Sequence, residues 1–345
     1  MNASSVSRLG PNRIVGYGCI VLALIAPLIF NEYWIATLLT QMLIFGTVAA
    51  SLIFLSAYGG MVSLAQVALF GIAGFALGNM TTDGNTKGLN LDWALGVGIV
   101  LAILVAVVVA FIFGVIASRS FGIYFLMITL VFSVIANLIF GQVTSISGFG
   151  GISGIPIPEF ISRTVHPERL YFVTLAVALA VYALLRYVAR TPFGLTLQGI
   201  RDDPLRMSSL GYNVTVHRIL AFTFAGFIAA VGGVLFVYWN AQIAPSSIAL
   251  SPTIDVLVIA VIGGLLRLEG AWLGALVFVI INNYAQDVSF IGDRFHTLIG
   301  LIFLVIVLVS PNGLIGLWEK VVVPRRAGSE DAAGGRGSAE LTPAR

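Results

Sequence analysis

The sequence predicts an all-α protein, a polytopic transmembrane helical bundle, and three observations carry that prediction. Of the 345 residues, 59% are hydrophobic and 10% are charged, whereas soluble domains have about 45–50% apolar and about 25% charged residues. The 38 glycines are spread through the apolar runs, as is typical of membrane helices that pack closely through small side chains. These runs also recur at lengths near the roughly 20 residues that a spanning helix needs.

Cutting the apolar runs at polar, glycine and proline positions gives about ten candidate spans. They lie near residues 14–30, 33–57, 61–80, 92–117, 120–141, 170–188, 218–239, 253–266, 270–286 and 294–309. The span at 253–266 is short, and the span at 61–80 contains Gly71, Gly74 and Gly78, which also fits a broken or re-entrant helix. The prediction is therefore eight to ten spans.

The first candidate span, 14–30, has two interpretations. It follows Arg8 and Arg13, so it resembles the apolar region of a signal peptide. It is long for such a region, and no small-x-small cleavage site follows Asn31. We therefore expect it to be retained as the first membrane span.

The distribution of basic residues predicts that both termini are cytoplasmic, since Lys and Arg gather on that side of a membrane. With the N-terminus inside, residues 1–13 are cytoplasmic and residues 14–323 form the transmembrane domain. Residues 324–345 are mainly Gly, Ala, Ser, Glu and Arg, too polar to fold alone, and form a disordered cytoplasmic tail. Every Lys and Arg then lies on a cytoplasmic segment except Lys87, Arg163, Arg169 and Arg294.

Several function classes are excluded by what the sequence lacks. A nucleotide cradle ends in Gly-Lys-Ser/Thr, but the two lysines, Lys87 and Lys320, lie in other contexts. The three histidines are far apart and outside any catalytic motif, and Cys19 is the single cysteine, so a thiolate metal site or internal disulfide is excluded. The net charge of +3 follows from loop orientation and indicates no nucleic acid partner. We expect a carrier or channel, with no enzymatic activity and no cofactor or metal.

The most informative stretch is a basic loop at residues 189–217. Asp202 and Asp203 precede Pro204, a pattern typical of a helix start, and Gly211 is a plausible helix stop. A helix of about two turns is predicted, lying flat at the cytoplasmic surface. The loop is either an ordinary connection made basic by topology or a coupling helix that fits a groove of a separate ATPase.

This loop resembles the ATPase-contacting loop of the membrane permease subunits of branched-chain amino acid ABC importers. The resemblance extends over nearly the whole chain before the tail. In the loop it rests on Pro192-Phe193-Gly194, Ile200-Arg201-Asp202-Asp203 and Leu210-Gly211. Elsewhere it rests on Tyr58-Gly59-Gly60-Met61-Val62-Ser63-Leu64-Ala65-Gln66, Phe121-Gly122-Ile123-Tyr124-Phe125, Thr129-Leu130, and Ile254-Asp255 with Gly263-Gly264.

The resemblance implies a permease of the bacterial inner membrane that conducts a small polar solute, above all branched-chain amino acids, into the cytoplasm. Its implied partners are a second, homologous permease, two ATPase subunits and a periplasmic solute-binding protein. The residues implied to contact the ATPase are Asp202, Asp203, Pro204, Arg206 and Gly211. In the outer loop, Gly151 or its neighbour stands where many members of the family carry a polar or acidic residue. Similar permeases carry urea or short amides, so the solute stays open.

Polar residues inside the spans are candidates for the translocation path, and we single out Gln66, Asn137 and Asp255. Asp255 either caps a helix or pairs within the bundle, since a lone charge inside a membrane is costly. Neutral amides either line the passage or serve as hydrogen-bonded packing between helices, and the same choice applies to Gln142, Asn282, Asn283 and Gln286. A secondary transporter or channel working alone remains the alternative, with Asp255 as its one clear coupling residue.

Overall fold

The computed structural model describes residues 31, 33–82, 88–161, 163, 166–285, 300 and 313–314. Over these residues the chain is an all-α polytopic bundle, which confirms the predicted fold class. The spans predicted at 14–30 and 294–309, the tail, Cys19, Lys87 and Gln286 lie outside the described residues.

The helices follow the predicted apolar runs closely. In chain order they are α1 (Thr40–Gly59), α2 (Gln66–Thr81), α3 (Leu95–Ala117), α4 (Ile123–Gln142), α5 (Pro167–Arg190), α6 (Pro192–Asp202), α7 (Pro204–Ser209), α8 (Val214–Asn240), α9 (Leu250–Gly263) and α10 (Gly270–Ala285). A π-helical turn, Trp34–Leu39, leads directly into α1. Among the described residues, five helices are long and apolar enough to cross a membrane, namely α1 with this turn, α3, α4, α5 and α8.

Helix α2 is continuous across Gly71, Gly74 and Gly78, so these glycines do not interrupt the span. They serve close packing instead, because a Cβ at Gly71 would lie 2.0 Å from Ile248 Cγ2. The irregular part is residues 60–65, which precede α2 and are mostly buried. Their amides are satisfied locally, as when Met61 N–H donates to the Leu55 carbonyl at 3.0 Å.

The core of the bundle consists of α1, α2 and α8, which are buried on most of their surface. Helix α3 packs against this core through small residues at every fourth position, while its larger side chains face outward. The contact is close, since a Cβ at Gly226 of α8 would lie 2.4 Å from Ala110 Cβ. The buried stripe of α3 is Gly98, Ala102, Ala106, Ala110, Gly114 and Ala117.

The bundle has two ends that differ in composition. One, which we call the basic end, carries the α5–α8 connection with Arg186, Arg190, Arg201 and Arg206. At the opposite end two short strands, β1 (Ile152–Ser153) and β2 (Gln242–Ile243), pair antiparallel with Ile152 opposite Ile243. Gly151 has φ +70°, and a Cβ there would lie 2.3 Å from the Ile243 carbonyl oxygen. Close backbone approach therefore explains the glycine at this position.

Candidate functional site

The basic loop contains two helices rather than the one predicted. Helix α6 is the addition: Thr191 caps its start by accepting a hydrogen bond from Gly194 N–H at 3.4 Å, and Pro192 occupies the first turn. Helix α7 begins at Pro204 as predicted, and the Asp203 carboxylate accepts from Arg206 N–H at 3.0 Å as its N-cap. We refer to α6 and α7 together as the α6–α7 segment, residues 192–209.

Helix α6 is anchored in the bundle. Leu197 and Ile200 are fully buried, and a Cβ at Gly194 would lie 2.3 Å from the Val188 carbonyl oxygen of α5. The Phe193 ring stacks on His217 of α8, with centroids 5.8 Å apart and planes 13° apart. The pattern Pro-Phe-Gly thus supplies the start of α6, an aromatic contact to α8 and a close approach to α5.

Helix α7 is the opposite case, because none of its residues is buried. Leu205 is 82% exposed and Leu210, just after the helix, is 65% exposed. The chain reverses at Gly211, whose φ of +90° lies in the left-handed region, and Gly211 N–H donates to the Ser208 carbonyl at 3.0 Å. Both leucines thus lie on the outside of the described bundle, at a turn that is capped by Asp203 and ends at Gly211.

Arg201 connects this surface to the core, a role that sequence reasoning missed. Its guanidinium donates to the Ala57 carbonyl near the end of α1 and pairs with Asp202 at 2.8 Å. Gly60, with φ +63°, permits the contact, because a Cβ there would lie 2.6 Å from Arg201 Cγ. A cation at a helix C-terminus is favourable. Asp202 thus holds Arg201 in place, while Asp203 caps α7.

The candidate path residue Asn137 belongs to a row of polar side chains on α4, with Ser133 four residues before it and Thr129 eight residues before it. We call this row the α4 polar seam. Thr129 Oγ1 accepts from Leu64 N–H at 3.1 Å, in the irregular stretch before α2. Ser133 Oγ lies 3.0 Å from Thr253 Oγ1 of α9, and Asn137 Nδ2 donates to the Pro245 carbonyl at 2.7 Å. The spacing of four could have identified Thr129 and Ser133 from sequence.

Gln66 is fully buried as the first residue of α2. Its Oε1 accepts from Ser51 Oγ of α1 at 3.2 Å, while its Nε2 has no hydrogen-bond partner in the part of the chain that the structure describes. A buried amide donor left unpaired costs about 1–3 kcal/mol. Gln66 and Asn137 bond to different partners and belong to different helices.

Asp255 is half-buried in the second turn of α9, whose N-cap is Ala249. It therefore does not cap the start of that helix. Of the remaining amides, Gln142 is exposed, while Asn283 Nδ2 donates to Gln41 Oε1 at 3.3 Å and to the Val279 carbonyl, which is interhelical packing.

An apolar bundle in which five of the described helices are long enough to span a membrane is a multi-pass membrane protein. The chain belongs to the family described as branched-chain amino acid transport system, permease component, which matches residues 34–308. The curated relatives have the same description, and a permease role follows from this membership.

Three relatives illustrate the similarity. The probable branched-chain amino acid transport permease protein LivM of Methanocaldococcus jannaschii is 26% identical over 182 residues, 49% of this chain and 53% of the relative. The high-affinity branched-chain amino acid transport system permease protein LivM of Escherichia coli is 26% identical over 217 residues, 56% of this chain and 50% of the relative.

The corresponding protein BraD of Pseudomonas aeruginosa is 27% identical over 139 residues, 40% of this chain and 44% of the relative. The chain thus spans about half the length of the curated relatives it matches. No solved structure matches it.

Proposed function

We propose that this chain is the permease subunit of an ATP-binding-cassette importer in the bacterial inner membrane and conducts branched-chain amino acids into the cytoplasm. It works beside a second, homologous permease. Two separate ATPase subunits supply the energy, and a periplasmic binding protein delivers the solute. The basic end of the bundle faces the cytoplasm, in agreement with the placement of Lys and Arg in membrane proteins.

The observation that carries this proposal is the contrast within the α6–α7 segment. An ATPase that grips Leu205 and Leu210 moves α7, and α7 packs on α6 where a Cβ at Gly199 would lie 2.8 Å from Met207 Sδ. Arg201 passes the displacement from α6 to the end of α1 through the Ala57 carbonyl. Coupling between two sites needs a continuous physical connection of this kind.

The solute path in this proposal lies beside α1, α2 and α4. An amino acid needs hydrogen-bonding partners for its two charged groups and an apolar wall for its side chain. Gln66 offers an unpaired Nε2 in an otherwise apolar interior, and the α4 polar seam offers two hydroxyls and an amide. Asp255 in the second turn of α9 completes the set of candidate path residues.

A second solute class, urea or short amides, is favoured by the neutrality of these groups. Gln66, Thr129, Ser133 and Asn137 carry no charge, and they suit an uncharged amide as well as a zwitterion. A stand-alone secondary transporter is disfavoured, because it would leave Leu205 and Leu210 exposed without purpose.

Uptake of labelled leucine and of labelled urea, measured in cells with and without this chain, tests the proposal and separates the two solutes. We expect leucine uptake to depend on the chain and to stop when the partner ATPase is inactivated by substitution of its nucleotide-binding lysine. Chain-dependent urea uptake would select the amide reading. Leucine uptake that continues without a functional ATPase would establish a stand-alone transporter and overturn the proposal.

The variant Gln66→Leu tests the path. Leucine is close in size to glutamine and lacks the unpaired N–H donor. If Gln66 has only a structural role, the variant should therefore be at least as thermally stable as the unmodified chain, with normal uptake. We expect that stability result together with a loss of uptake of roughly tenfold, a change of about 1.4 kcal/mol. Asn283→Leu is the matched control, since Asn283 bonds to Gln41 and Val279. Normal uptake by Gln66→Leu would remove Gln66 from the path.

A further inference from the structure

A cleft at the basic end is not used by the transport proposal. It lies where α1, α5 and α6 meet, and it has two adjoining parts of about 310 Å³ and about 320 Å³ that share Arg186 and Arg190. The remaining polar lining comes from Tyr58, Tyr187, Thr191 and Gln198. We call it the α5 basic cleft.

The charge of this cleft is positive. Arg186 NH1 lies 3.3 Å from Glu269 Oε1, and Glu269 also accepts from the Tyr182 hydroxyl at 2.8 Å, so Arg186 is largely neutralised. Arg190 is exposed, and no carboxylate of the described residues pairs with it. Within the part of the chain that the structure describes, the Arg190 guanidinium is therefore available to an anion, and its planar fork suits a phosphate.

The outward face of α5 indicates what the anion is attached to. Exposed residues recur along this helix as Phe172, Ala176, Ala180, Ala183, Tyr187 and Arg190. At roughly 100° per residue these positions lie on one face, so a row of alanines leads directly to the basic cleft. Half-buried Val177 and Leu184 occupy positions beside the row. The result is an exposed strip of small apolar side chains on α5 that ends beside Arg190.

We propose that the α5 basic cleft binds an anionic phospholipid of the cytoplasmic leaflet. The phosphodiester lies against Arg190 and the Arg186 side chain, and one acyl chain follows the alanine row. Tyr187, 70% exposed, stands at the level of the headgroups, where aromatic residues are enriched. Basic pockets between helices on this side of a membrane are suited to acidic headgroups.

The exposed apolar strip on α5 favours a lipid over a soluble phosphate, because a free anion gains nothing from apolar contacts. The position of the cleft also means that a bound lipid contacts both α6 and α1. Leu195 and Gln198 of α6 and Tyr58 of α1 line the same cleft, so a bound headgroup bridges the anchor of the α6–α7 segment to the core.

The test measures binding of fluorescent phosphatidylglycerol to the purified, delipidated full chain in detergent. Competing ligands are phosphatidylcholine with the same acyl chains and glycerol 3-phosphate. We expect phosphatidylglycerol to be preferred. Arg190→Gln weakens its binding roughly fivefold, the effect of one arginine beside an acidic headgroup. Ala183→Leu weakens it by a similar factor, because Ala183 lines the cleft and a larger side chain there fills space while leaving the charge intact.

The matched control is Arg169→Gln, an exposed arginine at the other end of α5, which should leave binding unchanged. Equal binding of phosphatidylcholine, or unchanged selectivity in both cleft variants, overturns the proposal. Competition by glycerol 3-phosphate that is insensitive to Ala183→Leu assigns the cleft to a soluble phosphate and overturns the lipid. If Arg190→Gln loses only co-purification with the ATPase, the cleft is a protein contact. None of these readouts depends on which solute is transported.

Discussion

Helices α6 and α7 are neighbours with the same beginning and opposite surroundings. Each starts with a proline after a capping side chain, Thr191 for α6 and Asp203 for α7. Yet α6 buries Leu197 and Ile200 in the bundle, whereas α7 buries nothing. The same local chemistry therefore produces an anchor in one case and a free surface in the other. What separates them is the close packing of α6 on α5 and α1.

The largest expected effect is on stability, and it comes from disturbing the packing of α6 in the bundle. In Gly194→Leu the new side chain collides with the Val188 carbonyl and the Ala189 backbone, and overpacking of this kind costs about 3 kcal/mol. We expect a large fall in the thermal unfolding temperature of the purified chain. Gly211→Leu is the control: it has open space and bears only the strain of its positive φ, about 1–2 kcal/mol confined to the end of α7. An equal fall in unfolding temperature in both variants would show that α6 is no more firmly packed than α7.

The second-largest expected effect concerns the contact through which Arg201 joins α6 to the end of α1. Arg201→Gln removes a charged hydrogen bond to the Ala57 carbonyl, and such bonds contribute about 1.5–3 kcal/mol. We expect ATPase subunits to co-purify normally while solute-stimulated hydrolysis falls roughly tenfold. Arg119→Gln, an exposed arginine in the turn between α3 and α4, should change neither. Normal stimulation in Arg201→Gln would mean that α6 does not act through α1.

The free surface is tested by Leu205→Ser combined with Leu210→Ser. Both side chains are exposed, so the unfolding temperature should stay the same. Loss of two apolar contacts should lower co-purification of the ATPase subunits several-fold, since a buried leucine contributes about 1.5–3 kcal/mol. Leu195→Ser on α6 is the matched control, because that leucine is exposed on the anchor instead. A similar loss with Leu195→Ser would extend the docking surface to α6.

The smallest effect concerns the cap of α7. Asp203→Ala removes the hydrogen bond to Arg206 N–H and weakens that helix by about 0.5–2 kcal/mol. We expect a two- to threefold loss of ATPase co-purification and no change in overall stability. Asp203→Ser keeps a capping oxygen without the charge. Recovery with serine identifies Asp203 as a cap, and no recovery identifies its charge as the contact with the partner.

The spans were predictable because apolar runs and their polar ends are local properties of the chain. The position of α7 was also predictable, since Asp203, Pro204 and Gly211 act on adjacent backbone. Helix α6 was missed because Pro192 and Gly194 look like a loop, and burial against α5 decides otherwise. The glycines of α2 also fit a broken helix by pattern alone. In a buried helix a glycine can instead indicate close approach, which depends on a distant partner such as Ile248.

For the site, the sequence indicated single residues and the fold supplied their partners. The sequence singles out Asn137 as a path candidate on α4 but not Thr129 and Ser133, which share its face. Together the three side chains bond to three different parts of the chain. The bond from Arg201 to Ala57 joins residues 144 positions apart, and nothing in either local pattern announces it. Contacts of this range depend on the packing of whole helices.

The pairing of Ile152 with Ile243 makes local opening measurable at the end of the bundle opposite the basic end. It fastens the stretch after α4 to the stretch after α8, and both isoleucines are buried. Any parting of these stretches exposes their backbone amides to solvent for as long as it lasts. Deuterium uptake at residues 152–153 and 242–243 therefore measures how readily these stretches part, and we expect it to rise during the proposed transport cycle.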